Sequence, residues 1–512
     1  MLFRSMGHEG IVKMLLEQKD VDPDHADTEY GATPLSWAAL RGHEGVVGVL
    51  LERKDVNPNH ADTEYGATPL SWAAEMGHEG IVKMLLERKD VDPNLADARY
   101  GRTPLSLAAE NRHEGVVKML LERKDVNPDY ADIEYGATPL SWAAEKGCEG
   151  MVEMFLERKD VNPNLADTRN GRTPLAWAAE MGHGEIVKML LKQKDVNPNH
   201  ADTEYGATPL SWAAEMGHGE IVKMLLERKD VDPNLADTRY GRTPLSMAAE
   251  NRHEGVVRIL LERKDVNPDY ADTEHGATPL SWAAQRGHTD IVKMLLDRID
   301  VDPDHDDTKY GATPLSLAAL RGYKGVVKLL LEREDVNSDH VDAKYGATPL
   351  SLAALRGYDG VVKMLLERAD VNPNHADNQY GRTPLSFAAE YGHKKVVKML
   401  LKRKDVNLNS ADSEYGRTPL WLASERRHQG VVKMLLEQGD VNPNQADTFY
   451  GQTPLSWAAR YGHEEVVQML LERDDVNPDQ ADPEQCSQRA RLLIGRPIGC
   501  RPGQGGPFRP MA

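Results

Sequence analysis

A string of the form Gly-x-Thr-Pro-Leu occurs thirteen times in this chain, always 35 residues apart, from Gly31 to Gly451. No insertion or deletion interrupts this spacing. Self-similarity at a fixed period of about 20–50 residues is typical of proteins in which each unit packs only on its neighbours. The 512 residues are therefore expected to form a repeat array, and not the three or four globular domains that such a length would otherwise favour.

Each repeat contains the signals of two short helices. In the second unit, Thr68 suits an N-cap and Pro69 suits the first helical position. Gly77 ends this first helix, and a second helix with an apolar face is predicted from about Glu79 to Arg88. A polar loop that contains Pro93 leads to the next glycine. Because isolated helices shorter than about 12 residues are marginal in water, the stability must come from contacts between repeats.

The order Gly-x-Thr-Pro-Leu, Ala-Ala, Gly-His, Val-Val or Ile-Val, and Leu-Leu resembles the ankyrin repeat. The resemblance implies an all-α repeat solenoid of stacked helix-turn-helix units joined by extended hairpin loops. Two departures are visible: Ser71 and its equivalents replace the usual His, and the period is 35 residues instead of 33. We expect longer, Pro-containing hairpins and unchanged stacking. Arrays of this period are similar to those of fungal proteins that often carry a nucleotide-binding signalling module.

Three segments are expected. Residues 1–26 align with the end of a repeat and are interpreted as a truncated N-terminal ankyrin repeat. Residues 27–482 hold the thirteen repeats, and residues 483–512, rich in Pro, Gly and Arg, are predicted to be a disordered tail. Because neither end carries a polar capping repeat, we expect the chain to be a fragment of a longer protein.

The composition argues against several classes of function. The net charge of −19 argues against a nucleic-acid partner, which needs a basic surface. No apolar stretch approaches the roughly 18 residues of a membrane span, and the opening residues of the sequence do not have the layout expected of a signal peptide. No phosphate-binding loop, nucleophile elbow or zinc-binding helix pair occurs. We therefore expect no enzymatic activity, cofactor, metal or small-molecule substrate, and a cytoplasmic or nuclear location.

Several recurring residues invite a chemical role but favour a structural one. The histidines at His78, His113 and equivalent positions are expected to hydrogen-bond at a helix start, and not to bind a metal. The Asp four residues before each glycine, such as Asp62, is expected to form a turn with nearby backbone N–H groups. The Trp series that includes Trp72 is interpreted as core, and Cys148, at a helix N-terminus, would have a lowered pKa if it were reactive.

Binding residues are sought where the repeats differ. The ends of the first helices and the hairpin tips vary most, and the resemblance implies that these positions line a concave binding face. Tyr precedes the glycine in eleven of thirteen units, either as an aromatic stripe for partner contact or as a ladder of rings between adjacent hairpins. The candidate protein-binding residues are Tyr65, Glu75, Met76, Arg99, Tyr100, Arg102, Glu110, Asn111, Tyr135, Arg169, Arg172, Tyr205, Arg239, Arg242, Arg286, Arg321, Arg356 and Tyr391.

The sequence thus favours a non-enzymatic scaffold for protein partners, with the negative field favouring partners that carry basic patches. The alternative is the ligand-sensing segment of a larger, NACHT-like signalling ATPase. We expect replacement of Arg99, Arg102, Arg169 and Arg172 by Ala to weaken partner capture and to leave the melting curve nearly unchanged.

Overall fold

The computed structural model describes residues 7–18, 20–478 and 480. In this part of the chain there are 27 helices and no strand. The chain divides into two compact units, residues 1–267 (unit 1) and 268–512 (unit 2). The expected all-α repeat architecture is confirmed. The predicted tail, residues 483–512, lies outside the described residues.

Even-numbered helices are the first helices of their repeats, and odd-numbered helices are the second. Unit 1 contains α1 (Glu9–Leu16), α2 (Pro34–Arg41), α3 (Glu44–Leu51), α4 (Pro69–Glu75), α5 (Glu79–Glu87), α6 (Pro104–Glu110), α7 (Glu114–Leu121), α8 (Pro139–Lys146), α9 (Glu149–Glu157), α10 (Pro174–Met181), α11 (Gly184–Lys192), α12 (Pro209–Glu215), α13 (Gly219–Glu227), α14 (Pro244–Glu250) and α15 (Glu254–Leu261). Unit 2 contains α16 (Pro279–Arg286), α17 (Thr289–Leu296), α18 (Pro314–Arg321), α19 (Lys324–Leu331), α20 (Pro349–Arg356), α21 (Asp359–Glu367), α22 (Pro384–Glu390), α23 (Lys394–Leu400), α24 (Pro419–Glu425), α25 (Gln429–Leu436), α26 (Pro454–Arg460) and α27 (Glu464–Leu471).

The first helices begin as the Thr-Pro pair predicts. Thr68 Oγ1 accepts a hydrogen bond from Ser71 N–H at 3.1 Å, and Pro69 occupies the first helical position. The Ser71 hydroxyl also lies 3.0 Å from the Thr68 hydroxyl, and both are buried. The Ser that replaces the usual His is therefore part of the helix cap.

The core lies between successive repeats. Within each unit, first helices pack on first helices and second helices pack on second helices. Ala73 and Ala74 have no exposed surface, so neighbouring helices can approach closely. Leu70, Ile81 and Leu85 are at most 1% exposed, and complete burial of such a side chain contributes about 1.5–3 kcal/mol. The expected dependence of stability on repeat interfaces follows from this arrangement.

The hairpins join neighbouring repeats through backbone hydrogen bonds. Asp62 N–H donates to Ala67 O at 3.1 Å and closes one hairpin, while Ala98 N–H of the next repeat donates to Tyr65 O at 2.8 Å. Gly66 has φ +67°, and a Cβ at this position would lie 2.6 Å from the Ala98 nitrogen. The glycine therefore permits both the turn and the close approach of the following hairpin.

Candidate protein-interaction face

The ends of the first helices and the hairpin tips together form a surface that we call the first-helix face. In unit 1, both kinds of segment line one depression, with Glu110 and Lys146 from helix ends and Tyr135 and Arg169 from tips. The structure thus places four predicted residues, Arg102, Glu110, Tyr135 and Arg169, around one feature.

The tip tyrosines pack mainly within their own repeats. The ring of Tyr65 meets Trp72 edge-on, with centroids 5.5 Å apart and planes at 86°. Tyr135 and Tyr205 contact their own tryptophans in the same way. A parallel contact between adjacent hairpins occurs at Tyr310 and Tyr345, 6.5 Å apart. The stacked ladder is therefore found at this pair, whereas Tyr65, Tyr135 and Tyr205 are half-buried against their own tryptophans.

Three exposed arginines lie over these tyrosines. The Arg99 guanidinium is 5.5 Å from the centroid of Tyr65 and 4.7 Å from that of Tyr100. Arg169 lies over Tyr135 at 4.9 Å, and Arg239 over Tyr205 at 5.1 Å. Cation–π contacts at exposed sites contribute only about 0.5–1 kcal/mol. These side chains are consequently available for contacts with a partner.

Arg102, Arg172 and Arg242 behave differently, because they turn inward. Arg102 is 9% exposed and lies 2.9 Å from Glu110; Arg172 is 6% exposed and lies 2.6 Å from Glu180. Arg242 pairs with Glu250 at 2.8 Å. Removing one partner of a buried ion pair leaves the other charge unpaired and costs about 3–5 kcal/mol. These ion pairs argue against an unchanged melting curve for the Arg102 and Arg172 replacements, which we now expect to lower the stability.

The paired carboxylates form a half-buried row on this face. Burial raises the pKa of Glu75, with a further increase from the charges of Glu110 and Asp97, against the opposing charge of Arg102. Burial also raises the pKa of Glu110, and the charge of Arg102 opposes that shift.

The remaining predicted residues lie at helix ends. Met76 is 42% exposed and Tyr391 is 52% exposed. Asn111 uses its side-chain Nδ2 to donate to Leu107 O at 2.9 Å, which occupies its amide in closing α6. The last residues of α16, α18 and α20 are exposed; they are Arg286, Arg321 and Arg356.

The helix pairs and hairpins described above agree with the comparison with known families. A sequence model of a protein family, described as ankyrin repeats (3 copies), matches eight overlapping segments of the chain. They are residues 1–97, 90–167, 159–237, 229–307, 299–377, 337–412, 371–447 and 404–482. The chain belongs to the ankyrin repeat family. No curated protein matches it. Ankyrin repeats are generally protein–protein interaction modules, and their all-α fold is typically a non-enzymatic one.

Two recurring residues of the ankyrin units make contacts that the sequence predicted only in part. Asp62 Oδ1 accepts from Tyr65 N–H at 2.6 Å, which confirms the turn, but Oδ2 also accepts from the Trp72 indole at 2.9 Å. His113 Nε2 lies 2.8 Å from Glu75 O of the preceding repeat and makes no cap hydrogen bond to α7. The expected helix-start bond was therefore wrong, because the ring reaches the end of the previous first helix instead.

Cys148 gives no sign of activation. Burial raises the pKa of its thiol, and the nearby charge of Arg112 only opposes this shift. The thiolate is therefore disfavoured, contrary to the lowered pKa that a reactive cysteine would need.

Sequence reasoning missed a ladder of polar side chains in the loops. Asn59 Oδ1 accepts from Asp92 N–H at 2.9 Å, and its Nδ2 donates to Asp90 O at 2.6 Å, so one amide joins two repeats. The available signal was an Asn or Asp at every 35th position: Asp24, Asn59, Asn94, Asp129, Asn164, Asn199, Asn234, Asp269, Asp304, Asp339, Asn374, Asn409 and Asn444.

A second missed contact involves the arginine that follows most of the second helices. Arg88 forms an ion pair with Asp90 and donates to Arg53 O at 3.1 Å and to Val56 O at 3.2 Å. It thereby satisfies backbone carbonyls of the preceding repeat, in the way that a capping side chain satisfies a helix end.

Among the residues that the structure describes, no cluster of three or more His, Cys, Asp or Glu side chains could hold a metal ion. Likewise, none of the helices at these positions is long and apolar enough to cross a membrane.

Proposed function

We propose that this ankyrin array is a non-enzymatic scaffold that binds a partner protein through the first-helix face. The depression between Arg102, Glu110, Tyr135 and Arg169 supports the proposal most directly, because it places exposed cations and half-buried rings beside one another. Tyr and Arg are the side chains that most often dominate binding energy at protein interfaces. The proposed location is the cytoplasm or the nucleus.

The negative charge of the chain favours a partner protein that carries basic patches. The chain carries a net charge of −19, and Glu75, Glu110 and their equivalents line the face in unit 1. A partner with basic patches would be steered toward such a surface, and its association would weaken as salt screens the field.

Affinity capture from a lysate with the full chain tests the proposal. The face variant replaces the three exposed tip arginines by Ala, R99A/R169A/R239A. The control removes the same charge from the second helices of the same unit, K83A/K118A/K223A, whose lysines are exposed on the opposite helix layer. We expect a discrete partner whose capture by the face variant falls about tenfold or more, since truncation of even one hot-spot arginine costs about 2 kcal/mol.

The control should capture that partner as the wild type does, and circular dichroism should show that both variants remain folded. Equal capture by both variants would place the binding site elsewhere on the array. Failure of the folded wild type to retain any discrete protein would contradict the scaffold function.

A further inference from the structure

The first-helix face changes its chemistry in three consecutive repeats of unit 2. In unit 1 the position equivalent to Glu75 carries a carboxylate in six repeats, at Glu75, Glu110, Glu145, Glu180, Glu215 and Glu250. In α16, α18 and α20 the same position holds Gln285, Leu320 and Leu355. The next residue in each is an arginine, and these exposed arginines are Arg286, Arg321 and Arg356.

The three arginines form a row. They end first helices that pack on one another, and packed helix axes lie about 8–10 Å apart. A cation at a helix C-terminus also interacts favourably with the helix dipole. However, α4 and α12 end at Glu75 and Glu215, so the fold does not require a cation at this place. Arginine at this position in three consecutive repeats is therefore specific to this part of the chain and is not required by the ankyrin fold.

The hairpin tips of the same repeats add cations over aromatic rings. Lys344 Nζ lies 4.6 Å from the centroid of Tyr310 and 5.0 Å from that of Tyr345. Lys309 Nζ lies 5.3 Å from the centroid of Tyr310. In unit 1 the positions equivalent to Arg286 and Lys309 are Lys146 and Arg169, which line one depression.

Between the helix ends and the tips lies a strip of leucines. Leu317 and Leu352 stand where Trp142 and Trp177 line the depression of unit 1, and they are half-buried. Leu320 and Leu355 are also half-buried. An apolar strip flanked by cations suits a ligand that presents both carboxylates and apolar side chains.

Acidic side chains also lie at the hairpins of these repeats. Asp307 and Asp342 are buried beneath the tips, where they accept from Tyr310 N–H and Tyr345 N–H at 2.6 Å. Glu274, at the edge of the strip, lies 3.6 Å from the ring of His275. The first helices α16, α18 and α20 themselves contain no carboxylate, and each ends on an arginine.

We propose that residues 275–356 form a binding site for an acidic amphipathic peptide segment of a partner protein. Its carboxylates would pair with Arg286, Arg321 and Arg356, since a guanidinium matches a carboxylate with two parallel hydrogen bonds. Its apolar side chains would cover the leucine strip. A polyphosphate chain fits less well, because the net charge of −19 repels it and the leucines offer it nothing. The inference rests on the proposed scaffold function and adds a second site, at which the first helices carry no carboxylate.

Fluorescence anisotropy of the full chain with labelled peptides tests this site. The probe repeats Glu-Leu-Glu-Phe, and the comparison probe repeats Lys-Leu-Lys-Phe. The site variant is R286E/R321E/R356E. The control is K293E/K328E/K363E, which makes the same charge change in the same repeats on the second helices. The milder R321Q/R356Q variant covers the case in which the triple variant does not fold.

We expect the acidic probe to bind the wild type, and the site variant to bind it about tenfold or more weakly, as reversal of close charge pairs predicts. The control should change the affinity less than about twofold, because exposed charges beyond a Debye length are screened. R321Q/R356Q should show an intermediate loss. Binding should weaken with added salt.

Three results would overturn the proposal: no binding of the acidic probe, equal loss in the site variant and the control, or tighter Arg-dependent binding of an oligouridylate than of the peptide. The tip variant R99A/R169A/R239A separates the two proposals. If it still weakens partner capture while the acidic probe does not bind, the scaffold function stands and the second site is rejected. If the folded wild type captures no discrete protein, the scaffold function itself is rejected.

Discussion

Asp304 occupies a ladder position at which most repeats carry Asn. Its Oδ2 accepts from Asn337 N–H at 2.7 Å, as an Asn oxygen would. Its Oδ1 is buried without a hydrogen-bond partner, whereas the Asn374 amide of a later repeat donates to Asp405 O at 2.6 Å. Burial raises the pKa of Asp304, against the opposing Asn337 N–H, and the charges of Asp302 and Asp335 raise it further.

Replacement of Asp304 by Asn should therefore stabilise the chain by about 1 kcal/mol at neutral pH, the usual net value of one hydrogen bond. Because the folded-state pKa of Asp304 is raised, its carboxyl destabilises the fold once the pH rises through that pKa. The gain from Asp304→Asn should shrink at mildly acidic pH, because the raised pKa lets the folded chain bind a proton at Asp304 that the unfolded chain does not yet bind. Urea denaturation at both pH values measures this difference.

The reciprocal variant Asn374→Asp is the matched control. It should destabilise the chain by about 1–3 kcal/mol at neutral pH, because it buries an oxygen where an amide had donated. Equal stability of both variants and the wild type would mean that the ladder contributes nothing to the fold.

At this scale the sequence predicted the contacts that are local in the chain. The Thr68 cap and the Asp62 turn join residues three apart, so spacing alone indicated them. The Asn59 amide and the His113 ring bind partners 31 and 38 residues away. The 35-residue period identifies such positions, but it does not show which atoms form the hydrogen bonds between repeats.

The first helix α22 shows how one charged residue joins several elements. Glu390 ends this helix and is 4% exposed. Its Oε2 lies 2.7 Å from Arg382 Nη1 of its own hairpin, and its Oε1 lies 3.0 Å from Arg426 Nη2 of the next repeat. Its carbonyl also lies 2.8 Å from His428 Nε2. A hairpin, a helix and the following repeat therefore meet at Glu390.

Replacement of Glu390 by Ala should cost about 3–5 kcal/mol, because it leaves the buried Arg382 without its main partner. The double variant Arg382→Met/Glu390→Leu should recover most of that loss, since a hydrophobic pair of similar volume needs no charge partner. Hydrogen exchange of α22 to α25 measures the effect locally, which suits an array that need not unfold in one step. If the double variant is as unstable as Glu390→Ala, the ion pair is not the cause.

The helices themselves could be predicted almost to the residue, but the inward turn of some arginines could not. The second helix of the second unit was expected at 79–88, and α5 spans Glu79–Glu87. Arg99 and Arg102 look alike in the sequence, yet one is exposed and the other reaches Glu110. The difference depends on the side-chain packing of adjacent repeats, which no local pattern encodes.

At the scale of the whole molecule, the backbone hydrogen bond between successive hairpins recurs with the period of the sequence within a unit. Thr63 N–H donates to Tyr30 O at 2.8 Å, and Ala98 N–H repeats this bond one period later. When every interface is equivalent, stability is approximately a sum of repeat and interface contributions. Deletion of one complete 35-residue period should therefore leave the fold and its stability nearly unchanged, wherever in a unit that period lies.

Deletion of residues 101–135 provides the test, because it joins Tyr100 to Gly136 and recreates the Tyr-Gly tip. The Ala98 bond to Tyr65 is kept, and the Asn94 amide meets Asn162 where it had met Asn127. We expect the helical signal per residue in circular dichroism to be unchanged and the urea midpoint to stay close to that of the wild type.

Deletion of residues 101–113 removes fewer residues but should do much more damage. It takes away α6 and its cap while keeping α7, so α4 and α8 lose the helix that packs between them. The buried surface of Ala73 and Leu140 is then uncovered, and each large buried side chain lost with α6 costs roughly 2–5 kcal/mol. We expect this variant to lose helical signal and to have a lower urea midpoint, while the full-period deletion stays native-like. That pair of results would show that the stability of the array depends on the register of the repeats and not on the length of the chain. Equal damage in the two deletions would instead mean that the repeats of unit 1 are not interchangeable.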